Sequence, residues 1–248
     1  METATGDATM TPSTLRLGLR ALGDFAVVAI VGALAILLLQ LGLMATQAAI
    51  PASLAGAMLL EQACMVLALL WWDRWRPLPA PTAPLPTPWP RRKAWLVGAL
   101  GGCLLLLLNP ALTWLLGQAG IEVPIPANDA LIRESLAQAP LLEMASIGLL
   151  APWLEERFVR GRLFGRFRNA GKPVVGLVLT SLLFALLHEF GPDPGQRVAE
   201  WLALIGLYAW MGAMFGLLYL WSGRLQTAIV AHAVNNLVLG GLYLLELA

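Results

Sequence analysis

The chain is poor in charged residues. Only 12% of its 248 residues are Asp, Glu, Lys or Arg, about half of the roughly 25% that is usual in a soluble domain. Since 58% of the residues are apolar, these charges are too few to cover the surface of a water-soluble fold. This composition excludes a soluble globular enzyme and a disordered chain. The net charge of +1 also excludes a nucleic-acid-binding protein, which needs a basic excess to neutralise phosphates.

Cysteine and histidine are scarce as well. The two cysteines, Cys64 and Cys103, lie in apolar runs, and two are too few for a disulfide framework. The only two histidines, His188 and His232, also lie in apolar runs. The class of protein that remains is a polytopic membrane protein.

Seven segments contain the roughly 20 mostly apolar residues that a spanning helix needs. They are roughly 25–45, 53–72, 94–117, 139–158, 173–190, 201–221 and 226–246. The predicted fold is therefore an all-α polytopic membrane bundle of about seven transmembrane helices. Splitting one segment would produce an eighth.

The basic residues predict the orientation of these spans. Fourteen of the 16 Lys and Arg residues fall in every second connecting segment, and only Arg133 and Arg197 lie in the others. Because Lys and Arg concentrate on the cytoplasmic side of membrane proteins, we expect a cytoplasmic N-terminus and an external C-terminus. An eighth span would break this alternation.

Prolines divide the chain. Seven of them fall within residues 77–90, a run that favours polyproline II and excludes a helix, so we expect a stiff cytoplasmic spacer there. The predicted organisation has four parts. These are a tail with two transmembrane helices (1–73), a Pro-rich cytoplasmic linker (74–93), a third transmembrane helix with its loop (94–138) and a catalytic helical core (139–248).

Two ionisable residues are predicted to meet inside the bilayer, where such groups are costly and usually functional. If the fourth and fifth spans form a hairpin that turns at residues 169–171, Glu155 and His188 each lie about 16 residues from the turn, or roughly 24 Å. The same helix is expected to carry Arg160 and Arg168 past the membrane surface.

The seventh span adds two polar residues at a similar depth. If the chain turns at residues 222–223, His232 and Asn236 follow about 9 and 13 residues later, or roughly 14 and 20 Å. They are four residues apart and therefore share a helix face. Asn235 lies about 100° round the helix, and we expect its replacement by Ala to be nearly silent.

Further charged residues flank this group. Glu156 precedes Arg160 by four residues, the favoured order for an ion pair. Pro152 removes a backbone hydrogen bond and predicts a kink. Glu61 is expected to have a packing role, and Glu143 and Glu189 are expected to be solvated at the outer interface.

Three motifs in order resemble those of a known family. Residues 155–160 read EERFVR and match EExxxR, residues 184–188 read FALLH and match FxxxH, and residues 232–236 read HAVNN and match HxxxN. Over about residues 139–248 the chain resembles the CPBP family of intramembrane proteases, which includes CAAX prenyl proteases and bacteriocin-processing proteins. Residues 1–120 carry no signature of that family.

The resemblance implies an endopeptidase that hydrolyses a peptide bond of a membrane-associated peptide or protein. Glu155 and His188 would activate water, while His232 and Asn236 would stabilise the oxyanion. Glu156, Arg160 and Phe184 would support the site. The expected partners are the membrane-associated substrate and the lipid bilayer, with no nucleic acid. The Ala-, Leu-, Arg- and Trp-rich composition suggests a bacterium, so we expect a bacterial cytoplasmic membrane.

The cofactor and the function class stay open at this point. Two histidines and one carboxylate, Glu155, His188 and His232, could bind zinc with an open fourth position. A carboxylate in an apolar site could equally act as a general base without metal, and no HExxH motif is present. Two other classes of protein could carry such residues: a catalytically silent scaffold or bacteriocin-immunity protein, and a proton-coupled transporter. No inverted repeat supports the transporter.

Overall fold

A computed structural model describes residues 12–45, 54–82, 84–192 and 194–247. Throughout these ranges the regular structure is helical, without a strand, which confirms the predicted all-α membrane bundle. The elements are α1 Thr14–Ala45, α2 Leu54–Trp75, α3 Arg91–Gln118, α4 Ala127–Gln138, α5 Pro140–Ala145, π1 Ser146–Leu150, α6 Ala151–Glu155, π2 Glu156–Phe164, α7 Gly165–Asn169, α8 Pro173–His188, α9 Val198–Ser222 and α10 Leu225–Leu247.

Five of the seven predicted spans form helices that are long and apolar enough to cross a membrane. Among the described residues these are α1, α2, α3, α9 and α10. The fourth predicted span instead lies in the run from α5 to α7, in which α-helical turns alternate with two wider π-helical segments. The fifth predicted span is α8, which has 16 residues. It rises only about 24 Å, less than the roughly 30 Å hydrocarbon core, and therefore ends within a bilayer.

Both predicted hairpin turns are present. The run from α5 ends at Asn169 and α8 begins at Pro173, with Gly171 between them at φ 72°. Helix α9 ends at Ser222, where Gly223 takes φ 63° before α10 begins. These left-handed conformations suit glycine because it has no Cβ. The two turns set the register of the α5-to-α7 run against α8 and of α9 against α10. The motif residues lie on that run, on α8 and on α10.

Glycines bring α3 and α10 into close contact. A Cβ at Gly98 would lie 2.6 Å from the carbonyl oxygen of Thr227, and a Cβ at Gly102 would lie 2.4 Å from that of Ala231. Small residues four apart allow the backbones of membrane helices to approach in this way. Helix α3 therefore forms the surface on which α10 lies.

The Pro-rich segment packs against the bundle. We call residues 77–82 and 84–90 the proline strap; they contain no helix, as the prolines require. The Thr82 amide donates to the Asn169 carbonyl at 2.7 Å, and the Trp89 amide donates to the Ser222 carbonyl at 2.9 Å. The strap thus contacts both hairpin turns, which the predicted stiff cytoplasmic spacer did not include. The four-part division of the chain stays a prediction.

The orientation of the bundle can be tested at the proline strap. In a background in which Cys64 and Cys103 are replaced by Ser, Ala80→Cys and Thr87→Cys introduce single thiols at exposed positions. We expect a membrane-impermeant maleimide to label both only after the cells are opened, because the positive-inside rule places the basic end in the cytoplasm. Glu122→Cys, between α3 and α4, is the matched control and should react in intact cells. The opposite pattern would reverse the proposed topology.

Candidate active site

Glu155 and His188 face each other across the hairpin that joins the α5-to-α7 run to α8. Nε2 of His188 lies 3.8 Å from Oε2 of Glu155, and the two side chains are 19% and 31% exposed. The meeting predicted from the helical rise is therefore confirmed. The separation exceeds a direct hydrogen bond, but one small molecule such as water can contact both groups.

The ring of His188 is held in a fixed orientation. Its Nδ1 lies 2.8 Å from the Phe184 carbonyl oxygen, which accepts a hydrogen bond from Nδ1–H. The ring stacks on Tyr208 with centroids 4.6 Å apart and also packs against the Phe184 ring at 4.4 Å. With Nδ1–H donating, the neutral ring presents Nε2 to Glu155 as an acceptor.

His232 pairs with the second glutamate of the EExxxR motif. Its Nδ1 lies 3.0 Å from Oε1 of Glu156, and both side chains are almost fully buried. The ring stacks on Phe215 with centroids 4.7 Å apart. When Nδ1–H donates to this carboxylate, Nε2 is an acceptor in the neutral ring and an N–H donor in the protonated ring.

Arg160 binds the same carboxylate oxygen of Glu156 as His232 does. Its Nη1 donates to Oε1 of Glu156 at 3.1 Å, and its Nη2 donates to the Gly212 carbonyl at 2.8 Å. The guanidinium also lies 4.4 Å from the centroid of the Phe184 ring. The predicted ion pair is confirmed, but the arginine is 1% exposed and packs inside the bundle, unlike the sequence expectation.

A missing backbone donor orients Asn236. In π1 the Ala151 amide donates to the Ser146 carbonyl, five residues back. The next donor in that register would be residue 152, which is Pro152 and has no N–H. The carbonyl of Ile147 instead accepts a hydrogen bond from Nδ2 of Asn236 at 2.9 Å. One N–H of that amide is thus fixed to the backbone, and the second is available for another acceptor.

Asn235 supports its neighbour, which the sequence did not predict. It is 4% exposed, and its Nδ2 donates to Oδ1 of Asn236 at 3.3 Å. Its own Oδ1 is buried without a hydrogen-bond partner among the described residues. The expectation that replacing Asn235 would be nearly silent is therefore revised.

Comparisons with known proteins agree with these residues. The family described as type II CAAX prenyl endopeptidase Rce1-like matches residues 137–238, which include all three motifs. Over this region the chain is similar to the CPBP family. A relative from Staphylococcus aureus (strain USA300), named membrane-embedded CAAX protease MroQ, is 31% identical over 96 residues. That alignment covers 36% of this chain and 34% of the relative, about a third of its length. No solved structure matches the chain.

Three other glutamates are not part of the three motifs. Glu143 is 0% exposed and Glu189 is 6% exposed, so the prediction that both are solvated is wrong. The Ser135 hydroxyl donates to Glu143 at 2.7 Å, which joins α4 to α5, and the Glu189 carbonyl accepts a hydrogen bond from the Trp201 indole at 3.3 Å. Glu61 is exposed on α2.

Sequence reasoning missed two aromatic residues of the CPBP site. Tyr208 and Phe215 of α9 stack on His188 and His232, respectively. They are seven residues apart and lie on one face of the helix, but α9 is apolar all round, so no periodicity marked that face. The hydroxyl of Tyr208 also approaches Oδ1 of Asn128 at 3.4 Å, which links α4 to the ring beside His188.

The donor set does not form the zinc site that the sequence left open. Within the described ranges, no group of three His, Cys, Asp or Glu side chains could hold a metal ion. Glu155 and His188 face each other, whereas His232 directs Nδ1 to Glu156, which also binds Arg160. Glu155 with His188 and Glu156 with His232 are thus two separate pairs. Glu155, His188 and His232 as arranged do not converge as three ligands.

Proposed function

We propose that this chain is an intramembrane endopeptidase that hydrolyses a peptide bond of a membrane-associated peptide or protein. The observation that carries the proposal is the pairing of Glu155 with His188 at 3.8 Å, beside the second pair of His232 and Glu156 at 3.0 Å. Similarity of residues 137–238 to a family described as CAAX prenyl endopeptidases supports the same activity. We also propose a bacterial cytoplasmic membrane with the N-terminus inside.

Glu155 and His188 activate the water in this proposal. A water molecule between them donates one hydrogen to Oε2 of Glu155 and the other to Nε2 of His188, because both atoms are acceptors. Its lone pair is then directed toward the carbonyl carbon of the peptide bond. Glu155 takes a proton as the water attacks, forming a carboxylic acid and a tetrahedral intermediate.

His232 and Asn236 stabilise the negative charge that forms on the carbonyl oxygen. His232 donates Nε2–H to this oxygen while its Nδ1–H stays hydrogen-bonded to Glu156, and Asn236 donates its second amide N–H. The intermediate then collapses as the C–N bond breaks. Glu155 returns its proton to the leaving amine, and His188 assists that transfer.

The test of this function is a comparison of membrane peptides. Cells that contain the wild-type chain, no chain, or Glu155→Gln are compared by mass spectrometry of membrane-derived peptides. An endopeptidase yields a set of peptides with shared cleavage positions in the wild type alone. The same peptides in all three samples would favour a catalytically silent scaffold or immunity protein.

The asparagines should contribute unequally. We expect Asn236→Ala to lower the cleavage rate by about 10²–10³, the usual effect of losing one oxyanion donor. Asn235→Ala should have a smaller effect, on the order of 10-fold, since it loosens the Asn236 amide without removing it. Asn109→Ala on α3 is the matched control and should keep the wild-type rate. An Asn235→Ala rate below that of Asn236→Ala would contradict this order.

A further inference from the structure

A cavity distant from the motif residues opens among α1, α2, α7 and the start of the proline strap. Its volume is about 640 Å³. Three arginines, Arg20, Arg76 and Arg166, line it together with the indoles of Trp72 and Trp75. This end of the bundle is the one at which nearly all basic residues gather.

The single carboxylate that lines the cavity is already paired. Asp24 is 4% exposed and accepts hydrogen bonds from Arg162 at 3.1 Å, from Arg166 and from the indole N–H of Trp72 at 3.0 Å. Arg162 is further held by Asp73 at 2.7 Å. The buried network also includes the Arg76 backbone carbonyl, which accepts a hydrogen bond from Arg162 at 2.9 Å. The side chains of Arg20 and Arg76 are exposed and add positive charge to the cavity.

The cavity lies where the apolar parts of two helices end. Trp75 is the last residue of α2 and is 70% exposed, and α1 continues from Arg20 into a long run of exposed leucines. Indole rings at the end of a span are typical of the depth of lipid head groups. The adjoining walls of Val27 and Pro77 are apolar.

We propose that this cavity binds the phosphate head group of an anionic phospholipid. Guanidinium groups pair with phosphate oxygens through several hydrogen bonds, and basic pockets between transmembrane helices are known to take such head groups. Arg20 and Arg76 contact the phosphate. The indoles and Val27 contact the glycerol and the first carbons of the acyl chains, which a free phosphate or a soluble peptide lacks.

A bound head group would connect α1 and α2 to α7. The cavity joins α1 and α2 to α7, which immediately precedes the turn into α8. A bound head group adds contacts to elements that the Asp24 network already connects. Occupancy should therefore raise the resistance of the folded chain to heat.

The experiment uses the full chain purified in a mild detergent and stripped of lipid. Phosphatidylglycerol, phosphatidylcholine or inorganic phosphate is titrated in, and retained lipid is measured by native mass spectrometry alongside the temperature of unfolding. The variant is Arg20→Gln with Arg76→Gln. The matched control is Arg91→Gln with Arg92→Gln, two exposed arginines at the same end of the bundle that do not line the cavity.

We expect phosphatidylglycerol to bind the wild type and the control, and to bind the variant on the order of 10-fold more weakly. The unfolding temperature should rise with phosphatidylglycerol only where binding persists. Equal binding by the variant and the wild type would overturn the proposal. An equal loss in the control would show a general charge effect, and full competition by inorganic phosphate would show a site for free anions; both would also overturn it.

Discussion

Glu155→Gln is expected to reduce cleavage to background while the protein still accumulates in the membrane. Glutamine has the same shape and can accept one hydrogen bond, so the hairpin that joins Glu155 to His188 across 3.8 Å should persist. It cannot take a proton from water. General acid–base catalysis contributes about 10²–10⁴-fold. Because we propose that Glu155 acts as both base and acid, the loss should lie at or beyond the upper end of that range.

The measurement compares the abundance of cleaved membrane peptides at equal protein levels. Glu61→Gln is the matched control, because it removes a carboxylate from another apolar helix at an exposed position. It should retain wild-type cleavage. Near-wild-type cleavage by Glu155→Gln would falsify the assignment of this residue as the base. Cleavage that chelators abolish and zinc restores would instead require these side chains to act as metal ligands.

Arg160→Ala is expected to destabilise the whole bundle. It removes two hydrogen bonds, to Glu156 and to the Gly212 carbonyl, and leaves a carboxylate that is 0% exposed without its guanidinium. Breaking a buried pair by deleting one partner costs about 3–5 kcal/mol. Protein level and unfolding temperature should therefore fall together.

A second substitution separates charge from packing. In the Arg160→Ala background, Glu156→Gln removes the uncompensated charge, so part of the lost unfolding temperature should return. Arg91→Ala, at an exposed position, is the control and should behave as the wild type. Arg166 is a poor control because it binds the buried Asp24. A double variant no more stable than Arg160→Ala would show that the arginine acts by packing alone.

The meeting of Glu155 with His188 could be predicted because it depends on few quantities. The rise of a helix is fixed, and the turn at Asn169 to Gly171 carries a recognisable glycine. Residues equally distant from such a turn must lie level with each other. The ion pair of Glu156 with Arg160 was predictable for a similar reason, since spacing along one helix settles it.

Other features depend on the local register or on distant partners. Pro152 predicted a kink, but the sequence did not reveal that the helix would widen to a five-residue register and free the Ile147 carbonyl for Asn236. The burial of Arg162 could not be foreseen either, because its partners Asp24 and Asp73 are 138 and 89 residues away. Such pairs form only once the packing of separate helices is known.

The contact of α3 with α10 bears on how this protein can be divided. Helix α10 carries His232 and Asn236, yet the helix on which it lies comes from the part of the chain before the family match at residue 137. Gly98 and Gly102 allow a backbone approach that a larger residue at either position would prevent. We therefore expect that the region with the three motifs does not fold correctly when it is separated from α3. The position of α10 depends on α3, a helix that carries none of the three motifs. An exchange of N-terminal helices between relatives must therefore keep glycines at the positions of Gly98 and Gly102.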